Sequence, residues 1–264
     1  MEALDSHSRV SEIRAQIERK PSLKCLYQEI YEKYIECLNR CPESGIALEL
    51  GSGAGFPKQM VPELITSDIL PYEGVDQVVD ATQLPFEDQS LRFIGMMNVF
   101  HHIPDAERFL QEAQRCLLPG GRLFIVDQHP GYISTPILRF IHHEPYDARA
   151  ASWKFESRGP LSDANGALAW IVFVRDRNTF QQLFPNLQLV QYSPHTPLRY
   201  WLMGGLKDWN LLPGPAFPFA TKMDRILTWI SSGLGSFVDI EVVKCGQFGD
   251  EQEFPSTITA HANP

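Results

Sequence analysis

The spacing of apolar positions changes twice along this chain. Leu23, Leu26, Tyr27, Ile30, Tyr31, Tyr34 and Leu38 fall on one face of a helix that Ser22 is placed to cap. Pro21 separates it from a shorter helical pattern at Val10, Ile13 and Ile17. After residue 45 short apolar runs take over, and IALEL, LITSDI, DQVV, FIGMMNV and RLFIVD read as strands. Between the last two, Ala106, Phe109, Leu110, Ala113, Cys116 and Leu117 keep a helical period that LPGG stops. Strands alternating with helices predict a parallel sheet covered on both faces.

The rhythm is lost at residue 128. Residues 128–175 are rich in His, Pro and aromatic side chains, which predicts an inserted cap. The alternation returns with RNTFQQLF as a helix and with LQLVQY and FVDIEVVK as strands. Between those strands, Trp209 to Val238 holds only Lys222, Asp224 and Arg225 as charges. The expected division is therefore 1–44 as N-terminal helices on the core, 45–127 as the ligand-binding core and 128–175 as the cap. Residues 176–245 follow as the last helix and strands, interrupted by a second apolar insertion at 195–236. Residues 246–264 form a polar tail without periodicity, expected to be poorly ordered. The two insertions are expected to form one lobe over the carboxyl ends of the strands.

Composition narrows the function by exclusion. The 264 residues are 44% hydrophobic, enough for a full core. A net charge of −9 without a Lys/Arg run disfavours nucleic acid as a partner. The charged start has no secretory-signal pattern, and no apolar stretch reaches membrane-spanning length. Five cysteines without CxxC spacing read as free thiols of a cytoplasmic protein rather than as a metal site.

The chemistry concentrates at ELGSGAG. Gly51, Gly53 and Gly55 end the first strand, where glycines permit positive φ and close approach of a ligand to the backbone. In an open parallel sheet, ligands bind beyond the carboxyl ends of the strands, where the strand order reverses. A dinucleotide fingerprint would place Gly or Ala at position 56, where this chain has Phe56. Glu49, just before the loop, would repel a pyrophosphate and suits a cationic ligand. Gly55 is placed as a helix N-cap with Pro57 in the first turn, and Pro62 limits that helix to a turn or two.

ELGSGAG, Asp68 at the end of the second strand, DATQLPFEDQSL, VFHHIPD and LLPGGRLFIVD follow one another in order over about residues 45–127. This series resembles the class I S-adenosylmethionine-dependent methyltransferases, and within them the type 11 group. The resemblance implies an α/β fold: a doubly wound, Rossmann-like, mostly parallel seven-stranded sheet, here with an inserted cap lobe. It implies S-adenosylmethionine as cofactor and S-adenosylhomocysteine as product. Glu49, Gly51, Ser52 and Gly53 would lie along the methionine part, Asp68 with Ile69 at the ribose, and Asp80 with Ala81 at the adenine. Asn98 and Val99 would line the sulfonium side. The chain departs from the group's pattern at Ser52, at Arg92 and in the short spacing from Gly51 to Asp68.

The expected activity is methyl transfer to a small molecule, with oxygen as the favoured acceptor atom and a lipid-linked, saccharide or secondary-metabolite acceptor. His101, which by position resembles the base of certain O-methyltransferases, and His129 are the candidate bases, as neutral imidazoles. His142, His143 and Glu144 read as cap or surface residues, with no metal expected. Trp153, Trp170, Tyr200, Trp201 and Trp209 line an acceptor pocket or fill a core. The low-charge segment 209–238 is expected to roof that pocket, with peripheral membrane contact as the weaker alternative. Two rival functions stand beside the first: an NAD-dependent oxidoreductase, and a non-catalytic regulatory module that binds the same cofactor.

Overall fold

The computed structural model describes residues 7–142, 144–159, 163–246 and 257–258. Two helices open it, α1 (His7–Arg19) and α2 (Pro21–Leu38). The turn between them differs from expectation: Pro21 starts α2 and Ser22 lies buried inside its first turn rather than capping it. Pro is well suited there because its missing N–H would have no helical partner. Lys20 precedes it and donates from Nζ to the carbonyls of Met203 and Gly205 at 3.0 and 2.9 Å, tying the turn to the far end of the chain.

The sheet contains β1 (Ile46–Leu50), β2 (Ile65–Asp68), β3 (Gln77–Val78), β4 (Leu91–Met97), β5 (Leu117–Gln128), β6 (Leu187–His195), β7 (Phe237–Lys244) and β8 (Thr257–Ile258). Their spatial order is β3-β2-β1-β4-β5-β7-β6-β8. β7 runs antiparallel to both neighbours and every other pairing is parallel. The expected seven strands are thus present, and the short β8 adds an edge. It falls in the stretch 246–264, whose other residues, apart from 246, lie outside the described ones. The strand order reverses between β1 and β4, so their carboxyl ends flank the crevice.

Alternation within the strands separates two cores. Leu48, Leu50, Ile94, Met96, Leu123 and Ile125 face one side, where α3 (Ala106–Cys116) packs. Ala47, Phe93, Phe124 and Val126 face α1 and α2 on the other. Asp105 caps α3, accepting from the Arg108 N–H at 2.9 Å. β5 takes in the LPGG sequence expected to be only a stop; Gly120 supplies a φ of +79° there.

Each of the two insertions packs into a different core. The first contains α4 (Ser134–Phe140) and leads into α5 (Leu168–Trp170), a π-helical turn (Ile171–Arg175) and α6 (Arg177–Leu183). Its Trp153, Leu168 and Phe173 join the α3 side. The second contains α7 (Arg199–Leu202) and α8 (Phe217–Ile230), and its Met203, Leu212, Phe217 and Ala220 join α1 and α2. They meet at the carboxyl edge, where the Tyr132 N–H donates to the Gly233 carbonyl at 2.7 Å and the His129 N–H to Ser236 at 2.9 Å. Arg199 and Asp224, both buried, hold the second insertion together through a 2.8 Å ion pair, and Arg199 reaches Glu29 of α2 at 2.8 Å.

Candidate functional site

The loop after β1 is shaped by what surrounds each glycine. Gly51 has φ +71°, and a Cβ there would run into Val99 Cγ2 across the crevice. Gly53 has φ +44°, and an added Cβ would make only ordinary contacts, the nearest with Asp68 Oδ2 at 3.6 Å. Gly55 is required for a third reason: the Tyr31 hydroxyl of α2 sits where its side chain would be, accepting from the Phe56 N–H at 3.2 Å. Phe56 stacks on Tyr27 and meets Tyr31 edge-on, which anchors the loop to α2. The helix expected next is shorter than a full α-turn. It is a single 3-10 turn, Pro57–Gln59, preceded by Phe56 rather than capped by Gly55. So short an element has no macrodipole with which to hold a pyrophosphate.

The carboxylates converge on this loop. Asp68 is buried at the end of β2; its Oδ2 accepts from the Gly53 N–H at 3.0 Å and its Oδ1 from the Leu70 N–H at 3.2 Å. Burial raises its pKa, and these backbone donors oppose the rise. Ser52 ties the same strands, donating its N–H to the Ser67 carbonyl at 2.8 Å. Glu49 is 3% exposed, and its Oε2 has no hydrogen-bond partner among the described residues. Burial pushes its pKa up to about 7, opposed by the nearby Ser52 and Tyr34 hydroxyls and helped by the Asp68 charge. A buried carboxyl without a counter-charge is costly, and a bound cation at that spot would relieve it.

The remaining predicted residues complete the crevice. Asp80 follows β3, which the Val79 N–H joins to the Asp68 carbonyl at 2.9 Å; its own carboxylate accepts from Thr82 N–H and Oγ1 at 2.8 and 2.7 Å. Ala81 is half-buried and Ile69 is exposed. Asn98 adopts φ +54° directly after β4, and its buried Oδ1 has no partner among the described residues. Val99, half-buried, covers Gly51. Behind the loop a cavity of about 290 Å³ is lined by Ser52 to Gln59 together with Arg14 and Lys24. Lys24 lies over the Phe56 ring, 5.7 Å from its centroid. The sequence reading missed Tyr31 and Lys24, whose helical spacing marks them only as part of an amphipathic surface.

The two candidate bases lie in opposite electrostatic settings. His101 is 1% exposed, with Nδ1 at 2.5 Å from Asp127 Oδ1 and Nε2 at 3.2 Å from Glu144 Oε2. Desolvation lowers its pKa, but Asp127 and then Glu144 override this and raise it to about 10. His129 is buried against Tyr192, whose hydroxyl lies 3.0 Å from Nδ1. Burial, with a smaller contribution from His195, drives its pKa down to about 3. One ring is therefore held charged and the other neutral throughout the physiological range. Asp127 was not anticipated as a site residue, although an acid ending a buried strand was visible in RLFIVD.

Glu144, expected as a cap or surface residue, lies in the first insertion and turns inward to His101 and His102. His142 stays beside it, while His143 lies outside the described residues. Trp153 is core, donating to Asp176 at 2.8 Å, and Trp170 is half-buried beside it. Trp201 donates to Ser236 at 2.8 Å, and Trp209 is exposed. Only Tyr200 of this group lies near Asn98; both line a closed pocket of about 10 Å³ with Phe237. That volume holds about one water, so an acceptor on this side must displace Tyr200 or its neighbours.

A family model described as a methyltransferase domain matches residues 48–125, the segment that builds this crevice. Over this segment the chain is similar to S-adenosylmethionine-dependent methyltransferases. The chain is 36% identical over 64 residues to the chloroplastic tocopherol O-methyltransferase of Arabidopsis thaliana, covering 24% of this chain and 18% of that protein. It is 32% identical over 80 residues to the ubiquinone/menaquinone biosynthesis C-methyltransferase of Desulfotalea psychrophila, covering 30% of this chain and 32% of that one. The chain thus spans a third or less of the length of these relatives. The fold of the whole chain matches a phosphoethanolamine N-methyltransferase of Haemonchus contortus, solved with S-adenosyl-L-methionine, with a TM-score of 0.51 at 13% identity, over 93% of this chain and 59% of that one.

Proposed function

We propose that the protein transfers a methyl group from S-adenosylmethionine to a small-molecule acceptor. The observation that carries this reading is the buried Glu49 carboxyl, with an unpartnered oxygen, beside a loop that only glycine at position 51 can form. The residues fit the cofactor. Glu49 would meet its cationic methionine end, Asp68 would accept from the ribose hydroxyls with its remaining lone pairs, and Asp80 and Ala81 would border the adenine. Lys24, across the loop cavity, supplies a cation for the cofactor carboxylate. The unpartnered Asn98 Oδ1 marks the sulfonium side. When bound, the cofactor supplies an electrophilic methyl, and the chain's part is to hold the acceptor in line with it.

The acceptor must enter already nucleophilic, or ionise readily, because His101 is doubly paired and His129 is too weak a base. Among oxygen acceptors this favours phenols over aliphatic alcohols; amines and stabilised carbanions need no base from this site. The relatives divide between oxygen, carbon and nitrogen, so the acceptor atom rests on this argument alone. Calorimetry with S-adenosylhomocysteine and with NAD tests the reading. We expect saturable binding of the first and none of the second. Binding of NAD alone would return the oxidoreductase reading, and cofactor binding without turnover of any acceptor class would return the regulatory module.

A second reading concerns the segment 209–238. α8 buries Phe217, Ala220 and Asp224 but leaves Phe219, Met223, Ile226 and Ile230 exposed at helical spacing, with Trp229 87% exposed. This outer face is the observation that favours peripheral membrane contact, alongside the inner, roofing face. No helix among the described residues is long and apolar enough to cross a membrane. Co-sedimentation with liposomes, lost in Trp229→Ser, would support the contact, and equal recovery with and without lipid would remove it.

A further inference from the structure

We infer that His101, His102 and Glu144 form a binding site for a divalent first-row transition-metal ion, of the zinc or ferrous class, at the carboxyl ends of β4 and β5. The three ligand atoms come from two segments, the 3-10 turn Phe100–His102 and the first insertion, and all lie within 4.8 Å of one another. His101 Nε2 is 3.2 Å from Glu144 Oε2 and His102 Nε2 is 3.5 Å from Glu144 Oε1. Ligands about 2.0–2.2 Å from a tetrahedral ion stand about 3.3–3.6 Å apart, which is close to both distances.

The orientation of the rings is the second observation. His101 presents Nδ1 to the Asp127 carboxylate at 2.5 Å, and His102 presents Nδ1 to the Asp163 carbonyl at 3.1 Å. Each Nδ1 is thereby engaged, so each Nε2 is the ring atom turned toward the same carboxylate, and on His101 it carries the proton that an ion would displace. Carboxylate or carbonyl anchoring of the far nitrogen is how metal-binding histidines are commonly oriented. Asp127 is itself fixed by the backbone N–H groups of His101 and Gln128, at 3.1 and 2.6 Å. Gln128 Nε2 steadies Glu144 Oε2 at 3.1 Å. The set is partly open: the side chains of His101, His102 and Glu144 are 2, 14 and 17% exposed, so an ion has a way in and a free coordination position. Two imidazoles and one carboxylate suit zinc or ferrous iron better than calcium or magnesium, which prefer all-oxygen shells.

The site does not depend on the methyl-transfer reading, and its test does not use activity. Chelator-stripped protein is titrated with Zn²⁺ by calorimetry and with Co²⁺ by visible absorption, beside His102→Ala, Glu144→Gln and Asp127→Asn. One ion per chain is expected, with Co²⁺ bands of a nitrogen- and oxygen-coordinated site. His102→Ala and Glu144→Gln should weaken binding by at least about 100-fold and Asp127→Asn by about 10- to 100-fold. Thermal melts identify any variant that fails to fold. X-ray absorption at the zinc edge of the wild-type protein gives an independent readout, expected to show two imidazoles. No saturable ion at one equivalent, or unchanged affinity in folded His102→Ala and Glu144→Gln, would overturn the site and leave a proton-bridged network in its place.

Discussion

The two ends of the crevice are built differently. At β1 and β2, neighbours in sequence make the site: the Gly53 N–H reaches Asp68, and Ser52 and Ser67 bond each other across adjacent strands. At β4 and β5 the site is gathered from distant chain. His101, Asp127, Glu144 and the Asp163 carbonyl meet from separate segments. The first arrangement follows from a turn and a strand order that recur wherever this fold forms. The second exists only because the first insertion folds back over the strand ends. Geometry at the first end is thus set by backbone shape, and at the second by tertiary docking.

The largest effect should come from filling the local site. Gly51→Val places a β-branched residue at positive φ and drives it into Val99. Strain and overpacking together should cost about 3–5 kcal/mol of stability, read from urea unfolding. Gly53→Ala should cost only about 1 kcal/mol, because its Cβ meets no clash and only the positive φ opposes it, while its methyl obstructs the cofactor. If the two glycines proved equally costly to stability, the distinction drawn between them would be wrong.

Breaking the tertiary side comes next. Asp224→Ala leaves the buried Arg199 without its main partner and should destabilise the protein by about 3–5 kcal/mol. Cofactor affinity at temperatures where the variant stays folded should change little. A large loss of affinity instead would show that the second insertion shapes the loop end as well.

Asp68→Ala tests the loop from its other strand. Loss of its hydrogen bonds to the ribose and to Gly53 should weaken S-adenosylhomocysteine binding by about 2–4 kcal/mol, roughly 30- to 1000-fold. Affinity within twofold of wild type would remove the ribose assignment.

The smallest expected effect is on pH. Glu49 has its pKa raised from 4.5 to about 7 in the fold, so the folded protein favours the neutral carboxyl. Its contribution to stability is present below pH 4.5 and is lost as pH rises through 7. A cationic ligand favours the ionised form, so affinity should climb with pH and level off above about 7. Ser52, Tyr34 and Asp68 are the groups that act on this carboxyl. Between one pH unit below the midpoint and the plateau, on the order of tenfold is expected by calorimetry, and none in Glu49→Gln. A wild-type profile as flat as the variant's would place the cation elsewhere.

Particular residues show where legibility stopped. Glu49, Gly51 and Asp68 were readable because one strand–turn–strand unit brings them together by local geometry, and the methyltransferase motifs follow the order of the strands. Pro57 and Pro62 foretold a short helix, and tight packing of Phe56 on Tyr27 and Tyr31 shortened it further. His101 was singled out by its place after β4, but its protonation was misjudged. Both carboxylates that set it, Asp127 and Glu144, approach from elsewhere in the chain. His129 keeps the neutral form expected of it, but nothing in VDQHPGY shows that the ring is buried against Tyr192.

By itself, then, the sequence determined the parallel α/β core, the order of its motifs and a crevice at β1 and β4 with Glu49 and Asp68 beside it. Those features rest on periodicity, on glycine's conformational freedom and on charge, all of which act within a few residues. The tertiary structure alone decided which insertion joined which core, which ring nitrogens met carboxylates, and that Glu144 turned inward. Burial and long-range pairing settle such matters, because desolvation and Coulomb interactions depend on which distant segments exclude water from one another.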